Sequence, residues 1–223
     1  MRYFQLMRKD IPPAYQYIES QIKPEAQDKL QAREFSKQLG LDAISISPTE
    51  ASLMRFMTAL IKPQKIVEIG TLTGLSSLYF LETLGSEGKL WTFEKSTEHA
   101  ELASQSLRAF IKSGQCQIKV GDAVEQLPTI EKDGPFDAIF IDGNKAAYYD
   151  YWIWAQHNLR GGGLIFIDNV FLAGSVWGDK SLQRFSDKQI ANVQKMTSEI
   201  MAHPDFTSTF VPTTEGLLIA RKN

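Results

Sequence analysis

Hydrophobic positions in the first part of the chain recur with the period of an α-helix. From Pro13 to about Ser47 the apolar side chains are spaced by threes to fives, and Gly40 is suited to close a helix. The segment from Pro48 to Ile61 repeats the same period. Pro63 then ends the pattern, because the residue before a proline disfavours helical backbone angles. The pattern predicts a helical N-terminal cap over residues 1–62, packed on the rest of the chain.

Beyond residue 62 the apolar residues occur in short continuous runs, which are typical of buried strands. The first run is KIVEIG, and four more follow, at Leu90–Phe93, Cys116–Val120, Phe136–Ile141 and Leu164–Ile167. Each gap between them is long enough for a crossover helix, which favours a mainly parallel sheet with helices on both faces.

The end of the chain has a different pattern. Phe206–Val211 and Leu217–Arg221 are strand-like runs joined by the short link PTTEG, which predicts an antiparallel hairpin. The expected fold is therefore α/β and Rossmann-like, with a seven-stranded, mainly parallel sheet that ends in this hairpin. A single domain is expected over residues 1–223, with the Rossmann-like core in residues 63–223.

Composition and charge exclude few classes of protein. A hydrophobic fraction of 43%, a charged fraction of 22% and a net charge of −2 over 223 residues are ordinary for a soluble protein. No run approaches the ~18 apolar residues that cross a bilayer, so a cytoplasmic protein without a membrane partner is expected. Cys116 is the only cysteine, so a disulfide framework is excluded and a buried thiol is expected.

A glycine-containing turn is predicted where the first strand of the sheet ends. In VEIGTLTGLSS, Gly70 and Gly74 lie between that strand and a helix, where a missing Cβ permits a tight turn close to a ligand. The spacing lacks the third glycine of the dinucleotide fingerprint, and the chain has no nucleoside triphosphate loop. The turn predicts a nucleotide-like ligand.

Polar residues also follow the next two strands. Glu94 ends the second strand, twenty residues after Gly74, where Rossmann-type sites place an acidic side chain on ribose hydroxyls. After the third strand, Asp122 and Ala123 form a small polar turn that could meet an adenine edge. Asp122 could equally be only the N-cap of the next helix.

The fourth and fifth strands end in FIDGNK and FIDNV. Asp142, Asp168 and Asn169 therefore fall at the edge of the sheet where open α/β proteins bind ligands. Carboxylate and amide oxygens suit a hard divalent cation, for which Mg²⁺ is expected and Ca²⁺ or Mn²⁺ are alternatives. On spacing alone the two aspartates could instead be helix caps.

Four motifs together resemble a known family. VEIGTLTGLSS, FIDGNK, FIDNVFLAG and EGLLIARK are similar to the class I methyltransferases of the caffeoyl-coenzyme A and catechol O-methyltransferase type, over about Ser47 to Lys222. The resemblance implies S-adenosylmethionine (SAM) as the methyl donor, a divalent cation and a small hydroxylated aromatic acceptor. Family members are commonly dimers, so a homodimer is also implied.

The resemblance also implies roles for residues that match the family's motifs. Asp142, Asp168 and Asn169 match the metal ligands, and Lys145 matches the catalytic lysine. Asp142 is also implied to contact the cofactor and to take part in catalysis. Glu94 matches the ribose ligand, and Glu68, Gly70 and Ser76 match the contacts to the methionine end of SAM. Three positions depart from the family's pattern: Ala51, Asn144 and Leu172. Asn144 and Leu172 predict a different acceptor preference from the plant enzymes. Ala51 replaces the usual glycine in the segment from Ser47 to Met54, so no contacts are assigned to that segment.

The chemistry implied by this family has a physical requirement. A phenol with a pKa of ~10 is mostly protonated at neutral pH and is a poor nucleophile. A metal on one acceptor oxygen stabilises the phenolate, and a nearby amine can take the proton. Lys145 is the candidate base, and its replacement by alanine is predicted to abolish turnover while cofactor binding survives.

Other histidine and aromatic residues are predicted to be packing or surface groups. His99, His157 and His203 lack paired spacing and are predicted to be solvated or capping side chains. The aromatic residues that follow Lys145 are predicted to pack in the core and are not assigned to the site: Tyr148, Tyr149, Tyr151, Trp152 and Trp154. Phe171 and Trp177 could line the acceptor mouth.

Two other functions remain open from the sequence. The N- and C-terminal segments also resemble bacterial enzymes that methylate 5-hydroxyuridine in tRNA, and a basic face for RNA could come from Lys180, Arg184, Lys188 and Lys195. A NAD-dependent dehydrogenase or a noncatalytic nucleotide-binding module could use the same glycine turn and Glu94, although the missing third glycine disfavours both.

Overall fold

The computed structural model describes residues 13–179 and 184–223. The helices are α1 Pro13–Gln21, α2 Gln27–Gln38, α3 Pro48–Leu60, α4 Leu75–Leu81, α5 Thr97–Ser106, α6 Arg108–Ser113, α7 Ala123–Gln126, α8 Tyr148–Asn158 and α9 Asp187–Ala202. The strands are β1 Lys65–Ile69, β2 Lys89–Glu94, β3 Cys116–Val120, β4 Phe136–Ile141, β5 Leu159–Ile167, β6 Phe206–Val211 and β7 Leu217–Lys222.

The strands form one seven-stranded sheet in the order β3-β2-β1-β4-β5-β7-β6. Strands β1 to β5 are parallel to one another, and β7 is antiparallel to both β5 and β6. The predicted fold class and the terminal antiparallel hairpin are therefore confirmed. Because parallel strands share one carboxyl edge, the turns after β1, β2, β4 and β5 come together there.

The sheet separates two layers of core residues, because successive strand side chains point to opposite faces. In β1, Val67 and Ile69 pack in one cluster with Trp152 of α8. Ile66 packs in the opposite cluster with Phe80 of α4 and Met54 of α3. Both faces of β1 are thus covered by helices, which explains why Ile66, Val67 and Ile69 are all apolar.

One strand begins earlier than its hydrophobic pattern predicts. β5 starts at Leu159 instead of Leu164, because the glycines between them carry no apolar side chain that would indicate a strand. The register shifts between Phe136 and Ala138 of β4 at this point. A Cβ on Gly163 would meet the carbonyl oxygen of Asp137 at 2.9 Å, so the glycine permits this irregular pairing.

The predicted helical N-terminus consists of α1, α2 and α3, within the described residues, with a 3-10 turn between α2 and α3. α2 contacts α4 and α5, and α3 contacts α4, so these helices lie on the same sheet face as α4. In the ranges that the structure describes, no helix combines the length and the hydropathy that crossing a membrane requires.

Candidate active site

Gly70 brings the turn after β1 against the end of β4. Its φ is +103°, and a Cβ on it would overlap the backbone carbonyl oxygen of Asp142. The Gly70 amide donates to the carbonyl of Phe93 at 2.9 Å, and the Asp142 amide donates to the carbonyl of Ile69 at 2.8 Å. The ends of β1, β2 and β4 are thereby held together at one edge of the sheet.

Gly74 is the residue before α4 and has a φ of +88°. A Cβ there would lie 3.0 Å from the side chain of Leu107, so glycine also permits close packing at this point. The two glycines predicted to form a ligand turn therefore each have a packing reason as well.

Glu94 is buried and spans the ends of β1 and β2. Its Oε2 accepts a hydrogen bond from the Leu72 amide, and its Oε1 accepts one from the Ser96 amide, both at 2.8 Å. The Nδ1 of His99 lies 3.5 Å from the same Oε1. The carboxylate is therefore fixed at the end of β2 before any ligand is bound.

Glu68 is fully buried within β1. Its Oε2 accepts hydrogen bonds from Thr92 Oγ1 at 2.6 Å and from the hydroxyl of Ser77. Its Oε1 has no hydrogen-bond partner among the residues that the structure describes. Burial raises the pKa of Glu68 to about 7, although the hydrogen bonds from Ser77 and Thr92 oppose the shift. Ser76, in the first turn of α4, is also buried.

Asp122 caps α7, as one of its two interpretations predicts. Its Oδ1 accepts from the Val124 amide at 3.0 Å, and its Oδ2 accepts from Lys95 Nζ at 3.0 Å. The hydrogen bond from Lys95 lowers the pKa of Asp122. Ala123, which begins α7, is buried. A contact of either residue with a cofactor stays a prediction.

Lys145 is the centre of a polar cluster at the carboxyl edge of the sheet. It follows β4 in a short 3-10 turn that Asn144 caps by accepting from the Ala146 amide at 3.1 Å. Its Nζ donates to Asp142 Oδ1 at 2.8 Å and to Asn169 Oδ1. The oxygens of two predicted cation ligands therefore converge on one positively charged nitrogen.

Asp168 and Asn169 follow β5 directly. Asn169 has a φ of +57°, a left-handed conformation that asparagine adopts more readily than most residues. The backbone amide of Asn169 donates to Asp168 Oδ1 at 2.7 Å. Burial and the nearby charge of Asp142 raise the pKa of Asp168 well above its usual range. The two aspartates are thus close, as the shared sheet edge predicts.

Tyr148 belongs to this cluster, contrary to its prediction as a packing residue only. Its hydroxyl accepts from Lys145 Nζ at 2.6 Å and donates to the carbonyl oxygen of Asp168 at 3.0 Å. The phenol is fully buried, and burial raises its pKa well above the usual value. The spacing of three residues from Lys145 was the only sequence signal for this contact.

Glu50 is a second residue that the sequence did not single out. It lies in the first turn of α3 and is buried. Burial is the main cause of the raised pKa of both Asp142 and Asp168, and the charge of Glu50 adds to it. The sequence predicts no contacts for the segment containing it, because Ala51 departs from the family's pattern. α3 packs against α4, so tertiary packing and not a local motif decides where this carboxylate lies.

The other aromatic residues in α8 are mainly packing groups. Tyr151 and Trp152 are buried in the core, as predicted.

A second group of aromatic residues follows β5. Phe171 stacks on Phe210 of β6 and makes an edge contact with the exposed Trp177. These aromatic rings lie just beyond Asn169, and their contact with an acceptor stays a prediction.

Four further positions have local explanations. Leu172, which stands in place of the family's tryptophan, is fully buried. His203 ends α9 and accepts from the Asp205 amide at 3.2 Å, which agrees with a capping role. His157 Nδ1 lies 2.7 Å from the carbonyl oxygen of Ile153, one turn earlier in α8. Cys116 is buried, as expected.

Part of the suggested basic face lies on α9. Lys188 and Lys195 are exposed, and Lys195 Nζ lies 3.6 Å from the centre of the Tyr149 ring. Arg184 is half-buried. Lys180 lies outside the described residues.

The strand order, the glycine turn after β1 and the acidic end of β2 define the class of SAM-dependent methyltransferases with a Rossmann-like fold. The chain belongs to the O-methyltransferase family, whose model matches residues 19–223. Within that family it is of the catechol and caffeoyl-coenzyme A type, and it is a SAM-dependent O-methyltransferase. The resemblance stated from the motifs is therefore confirmed.

Individual relatives agree with this assignment. A catechol O-methyltransferase of Niastella koreensis is 34% identical over 75% of this chain and 76% of its own. One of Mycobacterium tuberculosis is 30% identical over 78% and 76%. The solved O-methyltransferase TomG of Streptomyces achromogenes, in complex with SAM, has a TM-score of 0.84 at 27% identity, over 93% of this chain and 94% of its own.

Proposed function

We propose that this enzyme transfers the SAM methyl group to a hydroxyl of a small catechol-like acceptor and that the transfer requires a divalent cation. The observation that carries the proposal is the contact of Lys145 Nζ with the side-chain oxygens of Asp142 and Asn169. This contact supports the proposal, because the Lys145 nitrogen, which can accept a proton in its neutral form, lies beside oxygens that could bind a cation at the sheet edge where α/β enzymes bind ligands.

The donor atoms at this edge fit a divalent cation. Two carboxylates and one amide oxygen are hard ligands, which suit Mg²⁺ better than ions that prefer sulfur or nitrogen. The burial of Asp168 supports the same assignment, because buried carboxylates are otherwise costly unless they are paired with a positive charge. A bound cation would stabilise the ionised form of an acceptor hydroxyl.

Tyr148 supports the proposed base by fixing its position. Its hydroxyl is held by the Asp168 carbonyl and accepts one hydrogen from Lys145, which leaves the amine group oriented toward the sheet edge. In the proposed step, Lys145 as a neutral amine takes the proton of the attacking hydroxyl. The oxygen then forms a bond to the methyl carbon as the carbon–sulfur bond of SAM breaks.

The remaining site residues are proposed to bind and align SAM. Glu68 Oε1 is a buried acceptor without a partner among the described residues, which suits the positively charged amino group of the methionine end. Ser76 and the backbone at Gly70 and Gly74 line the same turn. Glu94 would accept from the ribose hydroxyls, while Asp122 and Ala123 would lie at the adenine edge.

The proposal is tested by following labelled methyl transfer from SAM to two acceptors. One is a caffeoyl-type catechol and the other is tRNA that carries hydroxyuridine, each with Mg²⁺ or with a chelator. We expect labelling of the catechol that requires Mg²⁺. Labelling confined to tRNA would establish the alternative acceptor, and undiminished labelling under chelator would refute the cation site.

A variant of Lys145 tests the chemical step separately from binding. Lys145→Ala should lower kcat by roughly 100-fold or more, because a positioned general base contributes about that factor. The Kd for SAM should change less than about threefold, since the proposed contacts to SAM come from other residues. Lys112→Ala, at an exposed position in α6, is the matched control. Retained turnover in Lys145→Ala would remove the base assignment.

A further inference from the structure

The turn between β1 and α4, residues 70–74, has an unusual backbone. Gly70, Leu72 and Gly74 all have positive φ angles, and that of Leu72 is +50°. Glycine adopts such angles readily, but in a leucine they bring the Cβ against the backbone. A residue in this conformation persists only where the surrounding structure enforces it, and such residues are common at ligand-binding sites. The turn therefore depends on contacts from neighbouring elements.

β2 holds the first half of this turn. The Leu72 amide donates to Glu94 Oε2 at 2.8 Å, and the hydroxyl oxygen of Thr71 lies 2.5 Å from that of Thr92. Thr92 and Glu94 both belong to β2, so these two contacts fix the turn against the sheet. The second half of the turn, at Thr73, is held from the opposite side.

The residues that hold Thr73 belong to the N-terminal helix α2. Thr73 Oγ1 donates to the backbone carbonyl oxygen of Ala32 at 2.8 Å and lies 2.7 Å from Ser36 Oγ. Ser36 Oγ also donates to the carbonyl oxygen of Ala32, at 3.2 Å. All three residues are 0% exposed, so water does not compete for these hydrogen bonds. Two buried hydroxyls thus join α2 to the turn.

α2 is itself fixed to α4, the helix that begins directly after the turn. The buried Lys29 of α2 forms an ion pair with Glu82 at the end of α4. Just before α2, Glu25 Oε1 accepts from the hydroxyl of Tyr79 in α4 at 2.6 Å and from Nη2 of Arg33 in α2 at 2.7 Å. Because α2 is attached to α4 at these separate points, it is a rigid support for the turn.

We propose that Ser36 and Thr73 are positioning residues for SAM, because their hydrogen bonds hold the turn in the conformation that binds the methionine end of the cofactor. This inference rests on the proposed position of SAM at the turn. A turn that is already held in its binding conformation loses less conformational freedom when the ligand binds, so its affinity is higher. α2 thereby contributes to cofactor affinity without a side chain that touches SAM.

Titration of SAM into the full-length, cofactor-free protein by calorimetry tests the proposal. Thr73→Val removes the hydroxyl and keeps the branched shape, and it should raise the Kd for SAM roughly fivefold, as the loss of one hydrogen bond does. Ser36→Ala should have the same effect. Thr73→Ser keeps the hydroxyl and should restore the Kd to within about twofold of the wild type. A variant that is merely partly unfolded would instead lower the binding stoichiometry, and circular dichroism measures its folded fraction.

Ser106→Ala is the matched control for Ser36→Ala. Ser106 is also a buried serine in a helix, and its hydroxyl donates to the Leu102 carbonyl oxygen within α5 at 3.4 Å. This variant should bind SAM like the wild type. An equal rise in Kd for Ser106→Ala and Ser36→Ala would overturn the inference, because any buried hydroxyl would then have the effect.

A double variant tests whether the two hydroxyls act as one contact. Ser36→Ala combined with Thr73→Val should raise the Kd for SAM little more than Thr73→Val alone, since both substitutions remove the same interaction. If the fold-changes of the two single variants multiply instead, the hydroxyls act independently and the inference is overturned.

A variant of Glu94 separates this inference from the proposed position of SAM. Glu94→Gln removes the charge that is proposed to accept from the ribose and should raise the Kd for SAM roughly tenfold. An unchanged Kd would refute the proposed position of SAM and this inference with it. Weaker binding by Glu94→Gln together with a wild-type Kd for Thr73→Val would overturn the role of α2 alone.

Discussion

At the scale of single residues, the buried carboxylate of Glu68 has the clearest physical consequence. Burial raises its pKa from 4.5 to about 7. The folded protein therefore holds a proton at Glu68 more tightly than the unfolded chain does. A raised carboxyl pKa means that the charged form is destabilised in the folded protein. Glu68 therefore lowers the free energy of unfolding as the pH rises from about 4.5, where the unfolded chain ionises, to about 7.

Glu68→Gln should make the cofactor-free protein more stable than the wild type above pH 7. The advantage should be absent below about pH 4.5, grow as the pH rises to 7 and then stay constant at up to on the order of 3 kcal/mol, because the charge is removed. Urea unfolding from pH 5 to 8 measures it. Under the proposed role, the same variant should bind SAM more weakly.

Glu101→Gln is the control for this prediction, since Glu101 is exposed in α5. Its stability should follow that of the wild type at every pH. A constant difference between Glu68→Gln and the wild type across the whole pH range would contradict the assignment of the raised pKa to Glu68.

At the scale of elements, Asp137 joins three strands at the edge opposite the site. Its Oδ2 accepts from the amides of Gln64 and Lys65, where β1 begins, at 2.8 and 2.7 Å. Its Oδ1 accepts from Nε of Arg160 in β5. A single side chain in β4 thus satisfies two backbone donors of β1 and pairs with β5, which stabilises the centre of the parallel sheet.

Asp137→Ala should lower the free energy of unfolding by about 2–3 kcal/mol. Its removal leaves two amide donors and one guanidinium without their acceptor, and a lost partner of this kind costs more than an average hydrogen bond. Chemical denaturation measures the change. Glu87→Ala, at an exposed position between α4 and β2, should change stability by less than about 0.5 kcal/mol. Equal stability of Asp137→Ala and the wild type would contradict the proposed bracing of β1.

At the scale of the whole molecule, the site is formed by distant parts of the chain. The ends of β1, β2, β4 and β5 supply its polar side chains. A ligand that binds only this assembled edge stabilises every element that contributes to it. Thermal unfolding of the complete chain is therefore a direct measure of binding.

SAM at about 100 times its Kd should stabilise the wild type by ~2.7 kcal/mol. For a chain of this size such a gain corresponds to a rise in Tm of roughly 5–10 °C. Differential scanning fluorimetry measures it, with NAD⁺ at the same concentration as the comparison ligand. A shift with NAD⁺ and none with SAM would favour the dinucleotide-binding alternative.

The sequence by itself determined the architecture and the edge of the sheet at which polar groups gather. Mainly apolar runs such as Phe136–Ile141 are local signals, because a strand buried on both faces consists largely of apolar residues. The order of strands and crossovers then places Glu94, Asp142 and Asp168 at strand ends on one side. These inferences need only short stretches of sequence and the rules of parallel sheets.

Tertiary structure alone decided which of these side chains touch and which others join them. Gly70 lies against Asp142, and Tyr148 holds Lys145. Such contacts depend on the packing of α3 and α8 onto the sheet. Hydrophobic periodicity predicts which face of a helix is buried, but it does not predict which residues elsewhere in the chain that face contacts. For the same reason Tyr148 had the sequence signature of an ordinary core residue, because a buried phenol and a hydrogen-bonding phenol share the same apolar ring.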